Sequence, residues 1–152
     1  MAETKPQTFQ NHTRWDPLFH FFLIPVFVLA LILSLVHFFA HITSSDLHEH
    51  VHAVLLILLA VAFLILAFKE RLYALKVQDR VIRLEEQLRL MRLLPEPLRS
   101  RIPELTEGQL CALRFASNAE LAKLAERAMN EKLSRADIKK SIQTWRPDYW
   151  RV

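Results

Sequence analysis

Histidine is the residue type in this sequence whose spacing most plainly allows chemistry. All seven histidines precede Ala53, and five of them, His37, His41, His48, His50 and His52, gather around one short stretch. His37 and His41 are four residues apart, as are His48 and His52, so on helices each pair shares a face one turn apart. Four imidazoles brought together in that way would suit Zn²⁺ or a similar transition ion. Asp46 and Glu49 stand nearby as extra ligands or as acceptors for the imidazole N–H groups. Two other readings use the same residues. The rings can be the polar ends of apolar helices, reaching for water, or a cluster that responds to pH because imidazole titrates near neutrality. No HExxH pattern accompanies the pairs.

Other chemistry has less to work with. The one cysteine, Cys111, has no histidine in its own part of the chain to activate it and reads as a small buried thiol. The one glycine, Gly108, excludes a glycine-rich phosphate loop or a dinucleotide fingerprint. Lys139 and Lys140 with Trp145, Arg146, Tyr149, Trp150 and Arg151 mix charge and rings as nucleic-acid grooves do. In so small a domain, rings serve more often as core. No catalytic set assembles, and the chain reads as non-enzymatic, with no nucleic-acid partner and no cofactor beyond a metal at the histidines.

The elements that must position these residues are helices. From Asp46 to Leu94 the sequence has no Gly or Pro. At 1.5 Å per residue one helix of that extent measures roughly 70 Å, enough to cross a bilayer and continue past it. Residues 51–68 carry no charge, and from Lys69 the helix becomes charged and leucine-rich. Residues 18–40 form a second uncharged run long enough to span, and too long for a signal peptide. Trp15, Asp16 and Pro17 before it read as an interfacial ring, an N-cap and a first helical residue. Pro25 should deprive the Phe21 carbonyl of its usual partner and kink the helix. Because only Ile42 to Leu47 joins the two runs, they should form an antiparallel transmembrane hairpin.

Charge orients this hairpin. The formal net charge is +4, yet no Lys or Arg lies between Arg14 and Lys69. Lys69, Arg71, Lys76, Arg80, Arg83, Arg89 and Arg92 then crowd the exit of the second run. Positive residues stay inside, so both termini are expected in the cytoplasm and the connection, residues 41–50, outside. Trp15, Lys69, Arg71 and Lys76 are the expected contacts to lipid headgroups. Beyond that collar, basic residues alternate with Asp79, Glu85 and Glu86, as on a solvated coiled-coil face.

A heptad runs through the long helix. Ala53, Ala60, Ala67, Ala74, Val81 and Leu88 recur every seven residues, with Leu56, Phe63, Val77, Leu84 and Met91 three positions later and Glu70 the one break. Such an a/d seam predicts association between copies, with Ala53, Ala60, Ala67 and Ala74 packing closely in lipid and Val77, Val81, Leu84, Leu88 and Met91 burying surface in water. The competing fate of the aqueous stripe is intramolecular, with the helices after Pro103 folding back to cover it.

Pro95-Glu96-Pro97 ends the long helix, and residues 95–105 read as a linker. Thr106 with Gln109, Ser117 with Glu120 and Ser134 with Asp137 resemble capping boxes, opening helices of about 107–115, 118–133 and 135–145. Residues 106–152 would thus be a small three-helix domain. The N-terminal residues 1–17 read as a polar cytoplasmic segment, flexible until it meets the membrane. The fold class is all-α.

Three groups of residues carry a resemblance: Gln10-Asn11-His12-Thr13-Arg14-Trp15, Leu113-Arg114-Phe115-Ala116-Ser117, and Ile138-Lys139-Lys140 with Trp145-Arg146-Pro147-Asp148. Over nearly its whole length the chain resembles an uncharacterised family of small bacterial two-span membrane proteins, a domain of unknown function. The resemblance implies a bacterial inner-membrane setting and brings no activity, cofactor or catalytic residue. The function expected is that of a self-associating membrane scaffold or adaptor that presents a docking domain to an unidentified protein partner. A metal- or pH-responsive accessory or sensor is the alternative.

Overall fold

The computed structural model describes residues 6–149, and among them the secondary structure is helical apart from one isolated antiparallel bridge, Ala116 to Trp145. The elements are α1 (Ile24–Ala40), preceded by a π-helical turn at Phe19–Leu23, α2 (Leu47–Leu93), a 3₁₀ helix at Leu98–Glu104, α3 (Glu107–Leu113), α4 (Asn118–Asn130) and α5 (Arg135–Ser141). Two compact units divide the chain, Trp15–Ala74 on one side and Met1–Arg14 with Leu75–Val152 on the other. α2 contributes to both.

In the Trp15–Ala74 unit the Asp16 carboxylate accepts from the backbone N–H groups of Leu18 and Phe19 at 3.1 and 3.2 Å, so the expected N-cap forms ahead of the first helix. The disturbance expected from Pro25 takes a specific form. Ile24 N–H reaches back five residues to the Phe19 carbonyl, and Pro25 falls in the first turn of α1. A π turn widens the helix just where a proline cannot donate. Ser34, the hydroxyl within α1, satisfies itself on the Ala30 carbonyl at 2.7 Å.

α1 and the first part of α2 meet through rings. Phe19 stands edge-on to Phe68, and Phe27 stacks on Phe63 with centroids 5.6 Å apart. Ala53, Ala60 and Ala67 are buried, while Leu29, Val36, Leu58 and Leu66 are exposed. At the connection Ser44 and Asp46 order the start of α2: the Ser44 hydroxyl accepts from Asp46 N–H, and the Asp46 carboxylate accepts from His48 N–H at 2.8 Å.

The other unit buries one hydrophobic core built around Leu90, Leu94, Ile102, Leu110, Leu113, Phe115, Leu121 and Ile138. Two of the three expected caps are reciprocal boxes. Thr106 and Gln109 exchange bonds, and Ser117 N–H donates to Glu120. Ser134 caps α5 by accepting from Asp137 N–H. Gln109 also donates to the carbonyls of Ala128 and Leu133, both at 3.0 Å, tying α3 to the end of α4.

Three expectations need correction here. α4 stops at Asn130 rather than Leu133, followed by Lys132 in the left-handed region at φ 50°. α5 stops at Ser141 rather than Trp145 because the next residues are drawn out straight: the Glu120 carboxylate accepts from Gln143 and Thr144 N–H, and Ser117 N–H donates to Thr144. Three helices do follow residue 106, and the compact unit they belong to reaches further back along the chain. The end of α2 supplies Ile82, Glu86 and Leu90 to it, and Leu94 just past the helix continues the i, i+4 rhythm, all buried. Glu86, expected on a solvated face, is 3% exposed.

Candidate functional site

Apart from Trp15, the residues quoted for the family resemblance lie in the unit of Met1–Arg14 with Leu75–Val152. Residues 6–14, expected to be flexible, lie against the C-terminal end of the chain. Gln7 and Asp148 exchange side-chain-to-backbone bonds of 3.1 and 2.9 Å, and Arg14 donates to the Tyr149 carbonyl. The His12 ring sits among Phe9, Phe115 and Trp145 with centroids 5.8 to 5.9 Å apart, and its Nε2 lies 2.9 Å from Lys139 Nζ. Arg114 reaches Asp148 at 3.2 Å while its guanidinium lies over the Phe115 ring. Arg146 N–H donates to the Phe115 carbonyl at 2.7 Å. This junction joins both ends of the chain through hydrogen bonds, an ion pair and ring packing. Lys139, read in the sequence with Lys140 as part of a mixture of charge and rings, is 8% exposed and belongs to the junction. Trp150 and Arg151 of that mixture lie outside the described residues.

Next to it is a buried ionic node. Glu86 pairs with Arg89 at 3.0 Å and with Arg146 at 3.5 Å. Arg89 also donates to the Ala116 carbonyl and to Asn118 Oδ1, so it fastens α2 to the start of α4. Burial pushes the Glu86 carboxyl above its ordinary value, against the opposing pull of Arg89 and Arg146, and burial likewise lowers Arg89. An open groove of about 740 Å³ borders this node, with Leu88, Arg92, Leu93 and Ser117 in its walls. The i, i+4 spacing of Ile82, Glu86, Leu90 and Leu94 was the signal for this buried face, masked by the charge on Glu86.

Cys111 is buried, with its sulfur 3.9 Å from Asp79 Oδ1. Burial, and then the adjacent Asp79 carboxylate, push the thiol up, the reverse of what activates a nucleophile.

The histidine pairs each close within themselves. The rings of His37 and His41 are 4.5 Å apart and those of His48 and His52 are 5.0 Å apart. His41 Nδ1 lies 3.0 Å from the His37 carbonyl and His50 Nε2 lies 2.8 Å from the Ser44 carbonyl. Among the described residues no three of the His, Cys, Asp and Glu side chains come together as a metal-holding group.

Of the expected headgroup contacts, Trp15, Lys69 and Lys76 are exposed. Arg71 lies 3.8 Å from Asp16 and over the Phe19 ring, and Lys69 lies over Tyr73. Along the heptad, Ala53, Ala60 and Ala67 are buried within the chain, Ala74 is half-buried, and Val77, Val81, Leu84, Leu88 and Met91 are exposed.

These features define an all-helical chain with two long apolar helices, Phe19–Ala40 and Leu47–Leu93. It belongs to the Family of unknown function (DUF6526), which matches residues 1–152. Neither a curated protein nor a solved structure matches it.

Proposed function

We propose that this is a two-pass protein of the bacterial inner membrane, with both ends cytoplasmic, that acts as a non-enzymatic scaffold. It holds a folded helical domain at the membrane for a partner protein, and it self-associates. One observation carries this reading. Residues 6–14 and the chain from Leu75 onward form one compact unit, although both apolar helical runs lie between them in sequence. A chain that leaves that unit, crosses a bilayer and comes back must cross an even number of times.

Burial supports the membrane. Only 11% of each apolar stretch is buried, whereas a core helix of a water-soluble protein would be mostly covered. Rows of exposed Leu, Val, Ile and Phe of that length are at home in hydrocarbon. The basic collar after Phe68 then sets the direction, with residues 41–46 outside.

The test is labelling of intact cells with a membrane-impermeant thiol reagent, in a Cys111→Ser background. Ser44→Cys is expected to label and Glu96→Cys to stay unlabelled until the cells are opened. The reverse pattern would invert the topology, and equal labelling of both would remove the membrane reading.

A second reading rests on the two closed histidine pairs. Each offers two imidazoles on one turn, a partial site for a transition ion on the outer face, in a sensor or accessory protein. Protein purified in mild detergent should then carry Zn, Cu, Ni or Fe, or melt higher when one is added; neither effect would leave this reading without support.

A further inference from the structure

The partner of the exposed half of the heptad is a second copy of this chain, we infer, docked in parallel and in register along α2 from Val77 to Met91. This rests on the membrane reading above and adds to it the identity and geometry of the self-association. Val77, Val81, Leu84, Leu88 and Met91 are 61, 50, 61, 49 and 49% exposed. They alternate by four and three residues, the spacing of a coiled-coil seam. The domain's core takes the opposite stripe of the same helix, so its own fold leaves the seam uncovered.

Two further observations choose the occupant. First, an open groove of about 510 Å³ lies on this face, and Val77, Arg80, Val81 and Leu84 are among its walls. In heptad terms these are d, g, a and d, the four residues that make the hole for an a-position knob of a facing parallel helix. Val81 of a second copy is the knob that fits the register. Second, Arg80 and Glu85 are both exposed and neither forms an ion pair among the described residues. They occupy g and the following e position, so parallel copies would place each Arg80 against Glu85 of the other, twice over by symmetry.

The seam is barely more than two heptads, too short to hold two free helices together in water. Anchoring both copies in one membrane supplies what the seam lacks. It fixes a common direction and raises the local concentration, as a tether does.

The experiment uses the full chain in native membranes, again in the Cys111→Ser background. Leu84→Cys at the seam and Lys76→Cys on the exposed flank are each oxidised with copper-phenanthroline. Leu84→Cys should give a disulfide dimer of twice the chain mass, several-fold above the Lys76→Cys yield. Onto Leu84→Cys, Arg80→Glu or Glu85→Arg alone sets like charges against each other and should weaken dimerisation roughly tenfold, from two repelling pairs at typical exposed-pair energies. The two together should restore it. Equal yields at positions 84 and 76, a cross-link to a different mass, or a combined variant no better than either single one would each overturn the proposal. Because thiol labelling reports topology separately, a failure of the membrane reading would show there and leave the cross-linking result to speak for the seam.

Discussion

Two halves of one helix face follow the same heptad and end in opposite states. Ala53, Ala60 and Ala67 are 1, 6 and 9% exposed, covered within their own chain. Val81, Leu84 and Leu88, in the same phase further along α2, remain about half exposed. A heptad therefore says that a face of a helix is made for contact, and it does not say with what. Residue size carries the rest. Alanine suits close approach, and within the Trp15–Ala74 unit Phe27 of α1 stacks on Phe63 and Phe19, in the turn before α1, stands against Phe68. Valine and leucine project further, and the domain turns to the other side of α2 for its core.

Neighbouring leucines that face opposite ways should respond most differently to truncation. Leu90 is fully buried in the domain core and Leu88 lies on the exposed seam. Leu90→Ala should cost about 3 kcal/mol through lost burial and the cavity left behind. Leu88→Ala should leave the melting temperature of the monomeric fold within experimental scatter and lower only the oligomer fraction. Thermal unfolding followed by circular dichroism in detergent, with size-exclusion chromatography beside it, measures both. If Leu88→Ala unfolds the domain as readily as Leu90→Ala, the seam belongs to the domain core after all.

A smaller effect is expected in the alanine half. Ala60→Leu adds bulk where the chain already fills the space, and overpacking of that kind costs about 1–3 kcal/mol. Val81→Leu adds a single methylene to the open half and should be tolerated. Melting of the two variants under the same conditions checks this. An Ala60→Leu protein as stable as wild type would mean that the buried alanines tolerate added volume, and close packing would lose its force as the reason they are small.

How much of this could be read from residues alone depended on distance along the chain. The Asp16 cap, the boxes at Thr106 and Ser117 and the Ser134 cap are contacts between residues two or three positions apart, and local chemistry names both partners. The docking of His12 on Lys139, Phe115 and Trp145 joins positions more than a hundred residues apart, and nothing local in a polar N-terminal segment announces it. The early end of α5 has a similar cause, since it depends on Glu120 capturing Gln143 and Thr144 from another helix. Glu86 misled for a different reason. Its charge argued for solvent, while its spacing from Ile82 and Leu90 argued for burial, and a pair of arginines allowed the spacing to win.

That carboxylate gives the smallest of the expected effects and a clear sign. Glu86 lies on the covered side of α2, one residue from the exposed Glu85, so the two glutamates repeat the buried-versus-open contrast with charge in place of size. Burial holds the Glu86 carboxyl above its ordinary value of 4.5 in the folded domain. The folded state therefore keeps a proton that the unfolded chain gives up, and stability must fall as pH rises. The Glu86 contribution is fully present below 4.5 and is lost as pH climbs through the raised value. Other carboxylates act the opposite way: Glu104 and Glu131 are held below their ordinary value by hydrogen bonds from Arg101 and Arg127. Raw melting curves would mix the two signs. Subtracting the melting temperatures of Glu86→Gln from those of wild type, pH by pH from 4 upward, isolates the one group. The difference should decline with rising pH and then level off. A Glu86 difference that rises with pH would mean that Arg89 and Arg146 outweigh desolvation, making the node an ion pair that stabilises the domain in its charged form.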